Sequence, residues 1–441
     1  MVKLLDDISL FETEERDRRL GDWIDAFAKH TERSESPLEF RIWCAIAGIS
    51  AALQRKVWVR CSEFTWYPNL YIVLAAPPGV ARKSSTLGKI KELVRECETV
   101  KLASDSTTAE SFIEQISEAT SSLIYTDSRG EDVMKEHHSV SIFASELGSF
   151  IRPNDQNMMN YLTDLFDSPD SWEYKTKHAA RKSAKKWGNT DNLITNCFVS
   201  LLGATTPSWL SSPHVQDGLE HGWARRCLFV YAEEKGQEIP NPWVHKPDNS
   251  MKEDLIYDLQ TIHKIAGEME MTEQAQKLYS DFYQKEQRLR KKEAFPFPLT
   301  KEFEGYISTR MTHVTKIAMI CAVSRSFGLS VEGQDFERAI AILESVEEKM
   351  AVALQGNGDS RVKDAVNVVL SYVKAKGETT RAAMLANIYD RVDPYMLDQV
   401  ERVLEGMDEV KMIIRGSDRV FKWVRQADAS NDKIIKLNDT S

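Results

Sequence analysis

No stretch of about 18 consecutive apolar residues, the length a membrane-crossing helix needs, occurs in this sequence, so it offers no candidate transmembrane span. The opening residues, MVKLLDDISLFETEERDRRL, place acids and bases where a secretory leader needs an uninterrupted apolar core, and the expected location is cytoplasmic. Cys-x-x-Cys pairs are also missing. The six cysteines (Cys44, Cys61, Cys97, Cys197, Cys227 and Cys321) are scattered, mostly within apolar segments, which argues against a disulfide framework or a zinc site. Nor is there an excess of positive charge: the formal net charge is -10, which excludes a protein that coats nucleic acid with its whole surface but permits a local basic channel. Glycine (20) and proline (14) are too sparse for a collagen-like chain or for bulk disorder.

What remains is an ordinary globular composition, 42% hydrophobic and 28% charged, over 441 residues, enough for two or three domains. Residues 1–55 contain two helical stretches, LGDWIDAFAKHT and PLEFRIWCAIAGISAALQ, the second apolar enough to pack on a sheet. From 56 to 240, short β-branched and apolar runs (VWVRC, NLYIVLAA, SVSIFA, CFVSLLGA, CLFVYAE) alternate with helical stretches, the pattern of an α/β fold with a mostly parallel sheet. Residues 241–355 read as a helical subdomain. LQGNGDSR, rich in glycine and polar residues, reads as a linker around 355–360. Residues 361–424 read as three helices and a two-stranded hairpin, a winged-helix-like arrangement, and the polar residues 426–441 as a disordered tail.

The chemistry is carried by a turn that follows the apolar strand at Leu70. Pro77-Pro78-Gly79-Val80-Ala81-Arg82-Lys83-Ser84 has the lysine and hydroxyl of a phosphate-binding loop, although Pro77 and Arg82 stand where the usual pattern has glycines. Backbone N–H groups from Gly79 to Ser85 would cradle phosphates, Lys83 would reach the terminal ones, and Ser84, at the start of a helix whose dipole favours anions, would hold Mg2+. Nucleotide hydrolysis further needs an acid at the end of a buried strand. Ser141-Ile142-Phe143-Ala144-Ser145-Glu146 supplies Glu146 as candidate general base, with Ser145 where an aspartate could have helped hold the metal. A plain helix-capping role for Glu146 is the alternative.

Three further candidates complete the set. Thr205, in Gly203-Ala204-Thr205-Thr206-Pro207, could sense the terminal phosphate or merely cap a helix before Pro207. Arg226, preferred over Arg225, precedes another buried strand and could stabilise charge on a nucleotide bound to an adjacent subunit, or could simply bind backbone or acids. Lys175, Lys177, Arg181, Lys182, Lys185 and Lys186 gather amid tyrosine and tryptophan, the mixture that suits a single-stranded nucleic acid, though such charge runs also form solvated loops. In the carboxy-terminal region the would-be recognition helix, Pro394 to Met407, carries Asp398, Glu401 and Glu405 against Arg402. That charge suits a protein partner better than a major groove, with Lys411, Arg415, Arg419 and Lys422 left to contact a backbone.

Taken together, Ser36-Pro37, Pro68-Asn69-Leu70-Tyr71, Arg82-Lys83-Ser84, Ser145-Glu146-Leu147, Leu165-Phe166-Asp167, Gly203 to Pro207 and Gly222 to Arg226 resemble a family of phage and mobile-element ATPases of the replicative-helicase and primase-helicase-like kind, from about Asp22 to Phe327. The resemblance implies a RecA-like P-loop core, ATP and Mg2+ as cofactors, and a homo-oligomeric, hexameric ring. It matches Lys83 and Ser84 to the phosphate and metal positions, Glu146 to the catalytic acid and Arg226 to the trans-acting arginine. Arg310, His313 and Lys316 resemble a family segment near the nucleotide lid. The expected function is an ATP-hydrolysing motor on single-stranded DNA, with replication proteins as partners of the carboxy-terminal module. The alternative is a regulatory or helicase-loading ATPase that acts on protein partners without unwinding.

Overall fold

The computed structural model describes residues 18–423, apart from 128, 153–154, 175–192, 213–214, 216–221, 242, 244–248, 293–294, 296–300, 390–391, 393, 405–409 and 416–417. It divides into two compact units, Met1–Leu354 and Gln355–Ser441.

The first unit begins with α1 (Trp23–His30), whose N-cap Asp22 accepts from the Asp25 amide and whose Trp23, Ile24 and Phe27 are buried. α2 (Leu38–Leu53) is apolar nearly all round, as befits a helix enclosed by protein on every side, and is buried from Trp43 to Leu53. Two strands, β1 (Val57–Cys61) and β2 (Phe64–Trp66), pair antiparallel, and β1 also pairs with Gly267–Glu268. The central sheet follows: β3 (Tyr71–Ala75), β4 (Lys101–Leu102), β5 (Thr120–Thr126), β6 (Asp132–Ala144), β9 (Cys197–Thr205) and β10 (Cys227–Tyr231), with a small hairpin of β7 (Ser171–Glu173) and β8 (Leu193–Thr195) outside it.

The sheet order is β10-β3-β9-β6-β4, parallel throughout, with β5 added antiparallel to β6. Burial explains which strands were legible. β3 and β9 are buried at every residue, because helices cover both faces of a parallel sheet, and both read as continuous apolar runs. β5 alternates and is mostly exposed, and its sequence, TSSLIYT, gave no strand signal.

The chain leaves β3 for the far edge at β4, returns through β6 and β9, and then passes β3 to form β10. The direction of winding therefore changes beside β3, and in open α/β sheets ligands settle at such a point, outside the carboxyl ends of the strands. α3 (Lys83–Arg95) starts there; α4 (Ala109–Glu118), α5 (Leu147–Phe150) and α6 (Gln156–Leu165) complete the layers around the sheet. One hydrophobic core joins Trp23, the sheet strands and the apolar stretch Val314 to Val323 of the helix Lys301–Arg325.

The division between the units falls at the expected linker, residues 355–360, but those residues are helical rather than a loop. A single helix is continuous from Gly333 to Lys376. Glycines at 356 and 358 weaken a helix by about 1 kcal/mol each, but apolar periodicity on both sides, with Val346, Met350 and Ala353 before and Val366, Val369 and Val373 after all buried, carries the helical conformation across them.

In the second unit, helices Arg381–Ile388 and Pro394–Leu404 pack with the end of that long helix on an antiparallel sheet of Glu378–Thr380, Asp418–Trp423 and Val410–Arg415, in that order. The strand Glu378–Thr380 was not anticipated. Glu401, 2% exposed, is ion-paired to Arg381 and Arg419, and Asp398 also pairs with Arg381, so much of the acidity of Pro394–Leu404 is consumed internally. The expected tail, 426–441, lies outside the described residues.

Candidate functional site

The parallel register lines up three strand ends on one edge. Ala75 pairs with Thr205 on one side and Tyr231 on the other, and Ala144 pairs with Gly203, so Ser145 and Glu146 leave β6 at the level where β9 reaches Thr205. The phosphate-loop candidate, the acid and the threonine thus share the carboxyl edge, beside the change in winding.

The loop leaves β3 through Ala76 and Pro77. Gly79 has φ +74, a left-handed conformation that glycine adopts without penalty. Arg82, the N-cap of α3, is also left-handed, at φ 48 and ψ 34. This accounts for the glycine usually found at its position: the backbone there is one that a side chain resists. In this chain the arginine is held instead by a partner that spacing could not reveal. Arg82 Nε donates to Glu35 Oε2 at 3.0 Å, while Glu35 also accepts from Lys235 Nζ at 3.2 Å and from the Ile239 amide at 3.2 Å. Those contacts, the backbone one foremost, hold the Glu35 carboxyl below its ordinary range. The Glu35 loop is itself pinned, since the Gly236 amide donates to the Glu35 carbonyl at 3.0 Å and a Cβ at 236 would meet the Ser36 carbonyl oxygen at 2.5 Å.

Lys83 is half-buried and its ammonium folds onto the loop, donating to the Ala76 carbonyl at 2.7 Å. Burial lowers its pKa, opposed by the nearby Glu146 carboxylate, which places cation and acid in the same electrostatic neighbourhood. Ser84 and Ser85 are exposed in the first turn of α3, where the Ser85 amide donates to the Arg82 carbonyl at 3.1 Å. Glu146 stands at the N-cap of α5 but makes no side-chain capping bond, so the capping alternative has no hydrogen bond behind it. Both Ser145 and Glu146 are exposed.

Thr205, the last residue of β9, and Thr206 after it separate cleanly. Thr206 is the cap, its hydroxyl accepting from the Trp209 amide at 3.4 Å. Thr205 is completely buried and its Oγ1 has no hydrogen-bond partner. A buried hydroxyl left unsatisfied costs roughly 1–3 kcal/mol. An acceptor within reach of this hydroxyl would supply what it lacks.

Arg226 sits at the opposite, amino edge, since Cys227 pairs with Tyr71 at the start of β3. A strand of five residues separates the edges by about 17 Å, so Arg226 does not reach the phosphate loop of its own chain. It is 8% exposed, donates to Asp167 Oδ2 at 2.9 Å and to the Gly222 carbonyl at 3.2 Å, and lies over Phe166. Arg225, by contrast, is exposed.

Residues that resembled a nucleotide-lid segment also belong to this amino-edge cluster. Lys316 donates to Asn69 Oδ1 at 2.8 Å and lies 4.0 Å from the Phe166 ring, its pKa pushed down to about 7 by burial. His313 Nε2 meets the Arg225 carbonyl at 3.2 Å, and burial drives its pKa down to about 3. Arg310 is locked by Glu347 and Glu286. Lys316 and His313 brace the amino ends of the strands, joined to Asn69 and to the Arg225 carbonyl, while Arg310 is paired with Glu286 and Glu347 instead. The basic residues Lys175, Lys177, Arg181, Lys182, Lys185 and Lys186 lie outside the described residues, but the segment that holds them connects β7 to β8, paired Glu173 to Leu193.

No family model matches the chain, and no curated protein is similar to it. Among solved structures, a full-length MCM homolog from Methanopyrus kandleri superposes at a TM-score of 0.38 and 13% identity, over 79% of this chain and 61% of that one. The chain therefore spans about three fifths of the length of the structure it matches. No helix among the described residues is long and apolar enough to cross a membrane. By its own strand order, the protein is a mixed α/β fold built on a parallel sheet, with its candidate site at the carboxyl edge.

Proposed function

We propose that this chain is a P-loop ATPase whose RecA-like core drives a ring-forming motor on single-stranded DNA, of the replicative-helicase kind seen in phages. The observation that carries the ATPase reading is the buried, unpartnered Thr205 hydroxyl, level with Ala75 where the phosphate loop begins. In this reading the amides from Gly79 to Ser85 bind the nucleotide phosphates, and Lys83 exchanges the Ala76 carbonyl for the terminal ones. Ser84, with Ser145 and Glu146 nearby, would hold Mg2+, which neutralises phosphate charge when bound. Glu146 orients the attacking water and takes its proton. Thr205 donates toward the transferred phosphoryl group, so that the hydroxyl is satisfied only when nucleotide is present.

The DNA part of the reading rests on the basic segment between β7 and β8, which precedes the strand that ends in Thr205. One rigid strand thus connects the root of that segment to the phosphate end of the site, a direct route from nucleotide state to nucleic-acid contact. A winged-helix-like second unit would recruit replication proteins.

The test is ATP hydrolysis by the wild type and by Lys83→Ala, each with and without single-stranded DNA at one fixed low salt. Hydrolysis that needs Lys83 and rises with DNA is the expected result. Hydrolysis that needs Lys83 and ignores DNA would favour a regulatory or helicase-loading ATPase acting on proteins, and none at all would overturn the catalytic reading.

A further inference from the structure

At the amino edge of the sheet, away from the phosphate loop, lies an open cavity of about 570 Å3, within the size range of small-ligand sites. Its wall includes both feet of the β7–β8 hairpin: Ser168, Pro169 and Asp170 before it and Asn196 after it. Both feet are conformationally unusual, with φ 50 at Ser168 and φ 49 at Asn196, positive values that non-glycine residues rarely adopt. Arg55 braces them, donating to the Cys197 carbonyl at 2.7 Å and pairing with Asp170, and its guanidinium covers one face of Tyr67 at 4.1 Å.

Two lining residues carry buried polar atoms that nothing satisfies. His137 is 0% exposed; its Nδ1 is engaged by Ser139 Oγ at 2.7 Å, and its Nε2 has no partner. Ser168 is 4% exposed and its Oγ has none either. Half-buried Tyr67 lines the wall with the edge of Trp58, which is 6% exposed and packed against Tyr125, and Lys135 adds an exposed cation. The charged lining residues are Arg55, Arg60 and Lys135 against Glu63, Glu136, Asp167 and Asp170, a balance that gives a bare phosphate little advantage. A planar, neutral group that stacks and offers both donors and acceptors suits the wall better.

We propose that this cavity is a nucleobase pocket, which takes an unpaired base at the root of the β7–β8 hairpin. Single-stranded recognition combines these features: stacking on aromatic side chains, with base edges met by hydrogen-bonding groups. The source of the base rests on the DNA-motor reading above; the pocket itself does not, because a free nucleotide presents the same chemistry.

The full-length protein is irradiated with an oligo-dT carrying 5-iodouracil and, separately, with 5-iodouridine monophosphate, and crosslinked peptides are mapped by mass spectrometry. Anisotropy of a labelled oligo-dT is followed in parallel. Expected is a crosslink to Tyr67 from the oligonucleotide. It should persist in Lys83→Ala and fall about tenfold, the size of a lost base–aromatic stack, in Thr65→Trp, which fills the cavity from an exposed lining position. The same crosslink from the monophosphate alone supports the pocket and assigns it to free nucleotide. Oligonucleotide binding with crosslinks elsewhere overturns the pocket while sparing the DNA reading. If neither probe crosslinks there, the pocket is overturned whatever the ATPase assay shows.

Discussion

Arg82 and Glu35, far apart in sequence, meet at 3.0 Å, and each has a left-handed backbone, φ 48 and φ 60. The loop conformation that glycine would adopt freely is thereby imposed on an arginine by a salt bridge, itself anchored to Lys235 and the Ile239 amide. If so, Arg82→Gly removes both the strain and the clamp and changes stability little. Arg82→Ala keeps the strain and loses the clamp, and should be less stable than Arg82→Gly by about 1 kcal/mol. Denaturant midpoints compare the two directly; equal midpoints would show that the left-handed backbone at 82 costs nothing.

Thr205 supplies a prediction with opposite signs for stability and activity. Thr205→Val keeps the shape and removes an unsatisfied buried hydroxyl, so stability should hold or rise by about 1 kcal/mol. ATP hydrolysis should meanwhile fall at least about tenfold, with nucleotide binding retained, as for the loss of a transition-state donor. Thr206→Val should do the reverse, costing about 1 kcal/mol of capping while hydrolysis persists. Melting temperatures and single-turnover rates of the two variants decide which threonine belongs to the site.

That pair also marks how far the sequence could be read. Uninterrupted apolar runs announced β3, β9 and β10 because helices bury both faces of the sheet, and the lysine-serine turn after β3 announced the loop. Which of two adjacent threonines would be the cap depended on whether the strand stopped at 204 or 205, a boundary that periodicity does not resolve. Glu35 was invisible because its contact with Arg82 is long-range; that Arg226 binds an acid and a carbonyl was one of its two readings, but nothing local shows that the acid is Asp167. The glycines at 356 and 358 suggested both a boundary, which falls at Leu354 and Gln355, and a loop, which the continuous helix replaces.

Buried histidines make the protein sensitive to mild acid. Burial pushes His313 and His137 down to about 3 and His263 down to about 4, whereas unfolded histidines titrate near 6.5. Between those values the unfolded chain binds more protons, so stability is greatest above pH 6.5 and falls as the pH drops toward 4, by up to about 1.4 kcal/mol per unit for each histidine. His313→Phe keeps the ring contacts with Tyr306 and Phe166 and should flatten that slope by one histidine's share. Urea midpoints between pH 7 and pH 5 measure the slope; an unchanged slope would falsify the assignment.

The amino-edge position of Arg225 and Arg226 bears on the proposed ring. Neither reaches its own phosphate loop, yet a neighbouring subunit in a ring could receive a cation from this edge. Arg226 is largely engaged: its Nη atoms hold Asp167 and the Gly222 carbonyl and its buried Nε is unpartnered, so Arg226→Ala should cost about 1.5–3 kcal/mol of stability, the range for hydrogen bonds to charged groups. Arg225 is exposed, and Arg225→Ala should leave stability within about 0.5 kcal/mol, while hydrolysis drops by about a thousandfold if it serves a neighbour's nucleotide. Mixing separates a trans role from a local one. Lys83→Ala subunits lack a working loop but keep Arg225, and Arg225→Ala subunits have the converse, so combining two inactive preparations restores hydrolysis only where a loop of one kind meets an arginine of the other. Recovery on mixing is the expected outcome. Two variants that stay inactive together, while size-exclusion chromatography shows that they co-assemble, would remove Arg225 from the catalytic interface.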